Sequence, residues 1–470
     1  MKTRHLLLAA LALASWSCSE DTRPSSDGPK AGDNGTTDIG TTTDADLGVL
    51  ADHGISDGVA EGAVTDGTAA DGPVGPANPC PALPAPGGTQ IKVTPSQVGQ
   101  LSGIVYNAQP NTTILLEDGT YALSGSQLHF TQPNVTLRSA SGDRDKVIID
   151  GEYNTNEIAL VQANNVTIAD LTLRRAVNHL VHATGSGSAT IKNTLLYNLK
   201  LIDAGEQFVK VNSDGNQHYV DDGRLECSEL EMTAQGRTHV ETNPGGCYTG
   251  GIDAHGAWGW QVRFNTIKGI YCDNGSLAEH AVHFWSASRA TLVERNVIVD
   301  CARGIGLGLG NTGADRVYPD DPYPSVGYIG HIDGIVRNNV IHASPAMAQY
   351  FDTGIELNQA HGSVVYHNTV VSKPTFSSID YRFANTQVEI RNNLTSVITV
   401  RDGAQGTVDH NLEGAAAALF VDAAAVNYHL QTTATAAIDK GIAVAEAGLD
   451  LDGMPHTVGP PDLGAYERQP

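Results

Sequence analysis

Basic residues are scarce in this chain: 28 Lys and Arg stand against 52 Asp and Glu, a formal net charge of −24. So acidic a protein is repelled by nucleic acid, and it accepts a polyanion only through a local basic patch or bridging cations. Long apolar runs are missing as well. Apart from Leu6 to Leu13, which is too short to span a bilayer, no stretch could cross a membrane. Helical periodicity is nearly absent, which excludes helical solenoids. Cysteine is sparse, and the six present, at 18, 80, 227, 247, 272 and 301, match no zinc-binding spacing. In an oxidising compartment Cys227 with Cys247 and Cys272 with Cys301 are the expected bridges, leaving Cys80 unpaired.

What is present begins with a leader. Lys2 and Arg4 precede the apolar run, and Ala14-Ser15-Trp16-Ser17-Cys18 follows it, which is the anatomy of a signal peptide. A small residue directly before a cysteine resembles the lipobox of bacterial lipoproteins, which implies that Cys18 is acylated and that residues 1–18 are removed. The other reading is ordinary secretory cleavage that leaves Cys18 a plain thiol. The resemblance implies a secreted protein attached by lipid alone. Ser19 supplies no retention signal of the kind aspartate would, so the outer membrane or cell surface is the expected location. From Ser19 to about residue 88 the composition turns to Asp, Gly, Thr and Ala, too poor in apolar groups to offset the entropy of ordering. This reads as a disordered acidic linker, extended by repulsion among its charges. With the linker's ten net negatives and the leader's two positives set aside, the rest carries sixteen net negatives.

A short strand with an asparagine keeps returning: Val262-Arg-Phe-Asn265-Thr-Ile267, Val293-Glu-Arg-Asn296-Val-Ile298, Val336-Arg-Asn-Asn339-Val-Ile341, Val365-Tyr-His-Asn368-Thr-Val370 and Ile390-Arg-Asn-Asn393-Leu. These asparagines are 31, 43, 29 and 25 residues apart, a repeat period with loop insertions. Period-2 alternation within each copy means strand. Asparagine tolerates the left-handed conformation of a tight bend, and its amide can bond to the same residue one coil away. A stacked ladder is therefore expected. Pro95 to Tyr106 reads as an amphipathic helix covering the first coil's open edge.

That helix, the strand after it, and the Asn134-Val-Thr-Leu and Asn165-Val-Thr-Ile strands resemble right-handed parallel β-helix proteins of the pectate-lyase-like superfamily. The resemblance implies an all-β, single-stranded right-handed solenoid over 89–415. Beyond it, Phe420-Val-Asp422, Tyr428-His-Leu430, Ile438-Asp439-Lys-Gly441, Asp450-Leu-Asp452-Gly453 and Asp462-Leu-Gly464-Ala-Tyr466-Glu467 look like the choice-of-anchor type of terminal module of bacterial surface β-helix proteins. This implies a cap or sorting module over 416–470, in which Asp450 and Asp452 are candidate calcium ligands; a turn without metal is the alternative.

A second strand precedes each asparagine strand by about ten residues. Alternation sends Val209, Val211, Ile252, Ala254, Val282, Phe284, Ile305, Leu307, Ile355 and Leu357 inward. Outward, one column then holds Lys210, Asp253, His283, Gly306 and Glu356, and a neighbouring column holds Asn212, His255, Trp285, Gly308 and Asn358. Coils stack about 4.8 Å apart, so consecutive members of a column are within reach of each other. Singly, each is an ordinary residue of a solvated face; the set shares one stripe. His280 and Arg303 flank it, an insertion from Asn311 to Gly334 could wall it, and Trp258, Trp260 and Trp285 are candidates to stack on sugar rings.

The stripe suggests a polysaccharide lyase or related carbohydrate-active protein, expected to be monomeric. In β-elimination a base removes the proton alpha to a uronate carboxylate while a cation steadies the developing charge. Lys210 or His283 is the expected base, with Asp253 orienting His283, Arg303 neutralising the carboxylate and His255 donating a proton. Asn212, His280, Trp285, Glu356 and Asn358 would bind substrate. None of the calcium-and-arginine signatures of the well-defined lyase families is present. Glycoside hydrolysis needs two carboxyls roughly 5–9.5 Å apart, and Asp253 and Glu356 fall three coils apart. The alternative is a surface protein that binds glycan without chemistry.

Overall fold

The computed structural model describes residues 78–243, 246–310, 315–372, 378–456 and 459–468. The leader, Cys18, the linker up to residue 77 and Asn311 lie outside the described residues. The described residues all belong to one compact unit.

Within each coil the chain makes three short strands, and each strand pairs in parallel with its equivalent in the next coil, building three long sheets along the solenoid axis. Gln261–Arg263 leads through Asn265 to Thr266–Lys268, then to His280–Trp285, and Leu292–Glu294 begins the next coil on top of the first. Strands this short hold because their inward residues interlock in one continuous core. Each fully buried Val, Leu, Ile or Phe contributes roughly 1.5–3 kcal/mol.

The bend between the first two strands of each coil is fixed by the asparagines. The side-chain amide of Asn265 donates to Asn296 (3.0 Å), Asn296 to Asn339 (2.9 Å), Asn339 to Asn368 (3.0 Å), Asn368 to Asn393 (3.0 Å) and Asn393 to Asn411 (2.8 Å). The expected ladder is present, with one difference. The left-handed residue is the one before each ladder asparagine: Phe264, Arg295, Asn338, His367 and Asn392 have φ between 52° and 60°. That twist turns the next side chain into the core, where the amide also caps strand carbonyls. In the early coils the geometry is the one expected. Asn111, Asn134, Asn165 and Asn193 are themselves left-handed and form a second, exposed ladder.

α1 (Val98–Tyr106) buries Leu101 and Val105 over the first coil. Just ahead of it, a 3-10 turn opens with the Gln97 side chain accepting from the Thr94 amide at 3.0 Å. α2 (Ala234–Thr242) is an excursion between coils, capped by the Thr233 hydroxyl. At the far end the strands Phe420–Asp422 and Asn427–Leu430 pair antiparallel. Phe420, Tyr428, Leu463 and Ala465 pack with Val340 and Leu394 of the coil, so these parts of the C-terminal segment lie along the solenoid's flank.

The disulfides correct the expected pairing. Cys80 bonds Cys227 and Cys247 bonds Cys272, while Cys301 is a free thiol. Cys227 sits at a left-handed corner facing outward, where it meets the segment around Cys80. That segment, assigned from composition to the linker, is fastened to the outside of the coil: Arg138 donates to the Pro84 carbonyl and Tyr197 to that of Pro81. Cys301 points inward among apolar groups, and burial pushes its thiol up to about 12.

A buried polar column on the third sheet

Five successive strands of the third sheet carry the column: β1 (Gln207–Asn212), β2 (Gly250–His255), β3 (His280–Trp285), β4 (Arg303–Leu307) and β5 (Thr353–Asn358). Their register places Lys210 beside Asp253, Asp253 beside His283, His283 beside Gly306 and Gly306 beside Glu356. His255 stands beside Trp285 in the next column. The alternate residues Val209, Ile252, Val282, Ile305 and Ile355 are fully buried in the core.

The column points away from the core but is not open to water. Lys210, Asp253 and His283 are only 7%, 3% and 2% exposed, because neighbouring side chains roof them. Trp285 lies flat against His283, with ring centroids 5.5 Å apart and planes 3° apart, and Tyr248 hydrogen-bonds Lys210.

At the centre the Lys210 ammonium donates to Asp253 Oδ2 at 2.5 Å. The Trp285 indole donates to Asp253 Oδ1 at 2.7 Å, and His255 Nε2 lies 3.1 Å from Asp253 Oδ2. Burial opposes both charges. Asp253 nevertheless stays well below the usual carboxylate range because Lys210 and His255 stand beside it, and Asp253 and Tyr248 hold Lys210 above its ordinary value. A lysine so firmly protonated is not a base, which corrects that role for Lys210. Asp253 likewise orients His255 rather than His283, whose Nδ1 is 3.6 Å away. His283 is neutral, pushed down to about 3 by burial and by His280, but at 2% exposure it is closed off from the cleft.

His255 is the network's accessible member, with its side chain 23% exposed. It opens onto a hollow of about 180 Å³ lined by Asn212, Tyr219, Ser286 and Gly256. Its Nε2 also lies 3.1 Å from Lys210 Nζ, while Nδ1 faces Ser286 Oγ at 3.5 Å. When Nε2 carries the proton it donates to Asp253; when Nε2 is bare it accepts from Lys210. Either tautomer is satisfied on the buried side, so Nδ1 can both take and return a proton on the cleft side.

The lower half of the column is a second network. His280 reaches outward across Gly306, where an added Cβ would meet its ring at 2.7 Å, and its Nε2 lies 2.9 Å from Glu356 Oε2. Asn358 donates to the other Glu356 oxygen at 2.7 Å. Burial notwithstanding, His280 and then Arg303 hold Glu356 far below its ordinary value. Arg303 itself is paired with Asp352 at 2.9 Å, so its guanidinium is already engaged by a carboxylate of this chain.

Two tryptophan expectations separate. Trp260 is wholly inside the core, its indole donating to the Val220 carbonyl at 2.8 Å and its ring filling the space above Gly223, so it meets no ligand. Trp258 is 40% exposed, with Arg289 over its ring and Tyr318 against its edge. The insertion after β4 is tied down by Arg316, which donates to both oxygens of Asp221 (2.6 and 2.9 Å). It encloses a hollow of about 440 Å³ lined by Tyr318, Tyr323 and Tyr328. Asp450 and Asp452 do not present a calcium cage. Both Asp450 oxygens accept backbone amides, from Met454 and Glu467, and Asp452 pairs with His429.

Sequence reasoning missed several members. His182, one coil before Lys210, lies 2.6 Å from Glu157 and 2.9 Å from Asn212, extending the column. Ser286, Tyr219 and Tyr248 come from bends and insertions that no period marks. Glu279 precedes β3 and faces both His280 and His283. The close Glu-His-x-x-His spacing was the one available signal for it.

No protein-family model matches the sequence, and no curated protein matches it. Among solved structures the chain is similar to pectate lyase Pel9A, at 13% identity over 81% of this chain and 96% of that one, with a TM-score of 0.47. It is also similar to the alginate lyase of Paenibacillus sp. str. FPU-7 (15% identity, 69% and 99% covered, TM-score 0.43). A third likeness is to the tailspike protein of E. coli bacteriophage HK620 in complex with a pentasaccharide (14% identity, 64% and 54% covered, TM-score 0.42). These are likenesses of coil architecture.

Proposed function

We propose that the protein is a carbohydrate-active β-helix protein of the cell surface, attached by lipid at Cys18, and that it acts as a polysaccharide lyase with His255 as the proton-transfer residue. The observation that carries this reading is the buried Lys210–Asp253 ion pair that presents His255, in either tautomer, to an open cleft. His255 Nδ1 takes the proton from the carbon alpha to a uronate carboxylate. The electron pair forms a carbon–carbon double bond, the glycosidic carbon–oxygen bond breaks, and the departing oxygen takes back the proton that His255 Nδ1 removed. The Lys210–Asp253 pair holds the His255 ring in place through Nε2 and leaves Nδ1 to the cleft. Asn212, Tyr219 and Ser286 offer donors to sugar hydroxyls, while exposed Trp258 and the tyrosine-lined hollow lie in position to support further sugar units.

The test is turnover by the purified mature chain on a panel of polysaccharides, followed by the ultraviolet absorbance of an unsaturated uronate. Product should form on at least one uronate-containing chain, and His255→Ala should lower kcat by about 10²- to 10⁴-fold. Because His255 also partners the buried Lys210–Asp253 pair, a modest fall in melting temperature is expected, and kcat is compared at a temperature where both proteins are folded. Glycan binding with no product across the panel would replace this reading with the non-catalytic one.

A further inference from the structure

We infer that Glu279, His280 and His283 form a binding site for a divalent transition-metal ion of the zinc class. One donor atom from each of the three residues lies within 4.8 Å of the other two, the one such grouping among the described residues. Glu279 Oε2 is 3.9 Å from His280 Nδ1 and 3.8 Å from His283 Nδ1, too far for hydrogen bonds. Three ligands at zinc distances of about 2.1 Å around a tetrahedral ion sit ~3.4 Å apart, so small side-chain rotations close the set.

Each imidazole is already oriented for the task. His280 Nε2 faces Glu356 at 2.9 Å and His283 Nε2 faces the Gly308 carbonyl at 3.3 Å. Those acceptors keep the protons on Nε2 and leave both Nδ1 lone pairs free, as outer-sphere partners of metal-bound histidines do. His280 Nδ1 is buried and has no hydrogen-bond partner, in a residue only 2% exposed. Two lone pairs and a carboxylate therefore face one another with no protein donor between them, an arrangement that a cation stabilises. Charge agrees. Lys210 and Asp253 cancel, Arg303 offsets one of the carboxyls of Glu356 and Asp352, and burial raises Glu279, a carboxyl that a cation beside it would hold ionised. Two imidazoles select a zinc-like ion over calcium, which takes six to eight oxygens. The Glu279 side chain is 31% exposed, which gives the ion a way in and leaves a coordination position for water or substrate.

The site stands on its own geometry, and its test needs no glycan. The full mature chain, without a polyhistidine tag, is stripped with chelator and titrated with zinc by calorimetry; bound metal is counted by mass spectrometry, and cobalt loading is read by its visible absorption. One equivalent is expected. Glu279→Gln and His283→Ala should each weaken binding at least tenfold, and so should Gly306→Ala, which removes no ligand residue but displaces the His280 ring, whose Nε2 an added Cβ would meet at 2.7 Å. Should His283→Ala fail to fold, the half-exposed Glu279→Gln and the Gly306→Ala variant decide. No bound equivalent, or unchanged affinity in Glu279→Gln and Gly306→Ala, overturns the site. Zinc bound without lyase activity would leave it standing while removing the proposed reaction.

Discussion

Lys210 and Asp253 stabilise each other where neither would survive alone. Replacing Lys210 with methionine strands a buried carboxylate, and breaking such a pair costs about 3–5 kcal/mol. Urea denaturation of Lys210→Met should show that loss, and Lys210→Met/Asp253→Leu should recover much of it. His331 provides a cleaner pH effect. It is buried on all sides, and desolvation alone pushes it down to about 3. The unfolded chain takes up a proton below the usual histidine value near 6.5 and the folded chain does not. Stability should therefore fall as pH drops from about 6.5 toward 3, by up to ~1.4 kcal/mol per unit from this residue. His331→Gln should flatten the dependence of the urea midpoint between pH 7 and pH 4; an equally steep slope in that variant would assign the effect elsewhere.

At the scale of the coil, the asparagine ladder is the element most exposed to a single change. Asn339 donates to the carbonyls of Val293 and Arg337 and to Asn368, and it accepts from the amide and side chain of Asn296. Asn339→Ala leaves several of these buried groups without partners, at about 1–3 kcal/mol for each. Its melting temperature should drop sharply, whereas Asn134→Ala, in the exposed ladder, should lose far less.

The ladder also shows why the fold was legible and the site only partly so. Asparagines such as 265, 296 and 339 recur because every coil must solve the same bend, so sequence carries them as a period. Strand parity likewise gave the register of Lys210, Asp253 and His283. It could not tell that Trp285 and Tyr248 roof them, since cover comes from loops and neighbouring rings. Nor could it show that His280, outside the alternation, swings over Gly306 to Glu356. Trp260 was misjudged because it stands in a turn, where parity assigns no side. Cysteine spacing failed for a related reason: Cys272 is about one coil from both Cys247 and Cys301, and only side-chain direction chooses between them.

For the whole molecule, the disulfides organise stability over distance. Peptide mapping without reductant should recover Cys80 joined to Cys227 and Cys247 joined to Cys272. The Cys301 thiol should resist alkylation until the protein unfolds. The first bond closes a separation of 147 residues, for which chain-entropy reasoning gives about 4–5 kcal/mol. Cys80→Ser/Cys227→Ser should therefore melt well below the parent chain.

The same bond sets how the solenoid bears load. Tension arriving along the backbone from the N-terminal side passes at Cys80 straight into the corner at Cys227, through a covalent link. The strands in between, from Thr89–Val93 to Arg224–Glu226, are excluded from the pulled path. A tug on this protein therefore cannot peel it open from its first turn, and under reducing conditions that protection disappears.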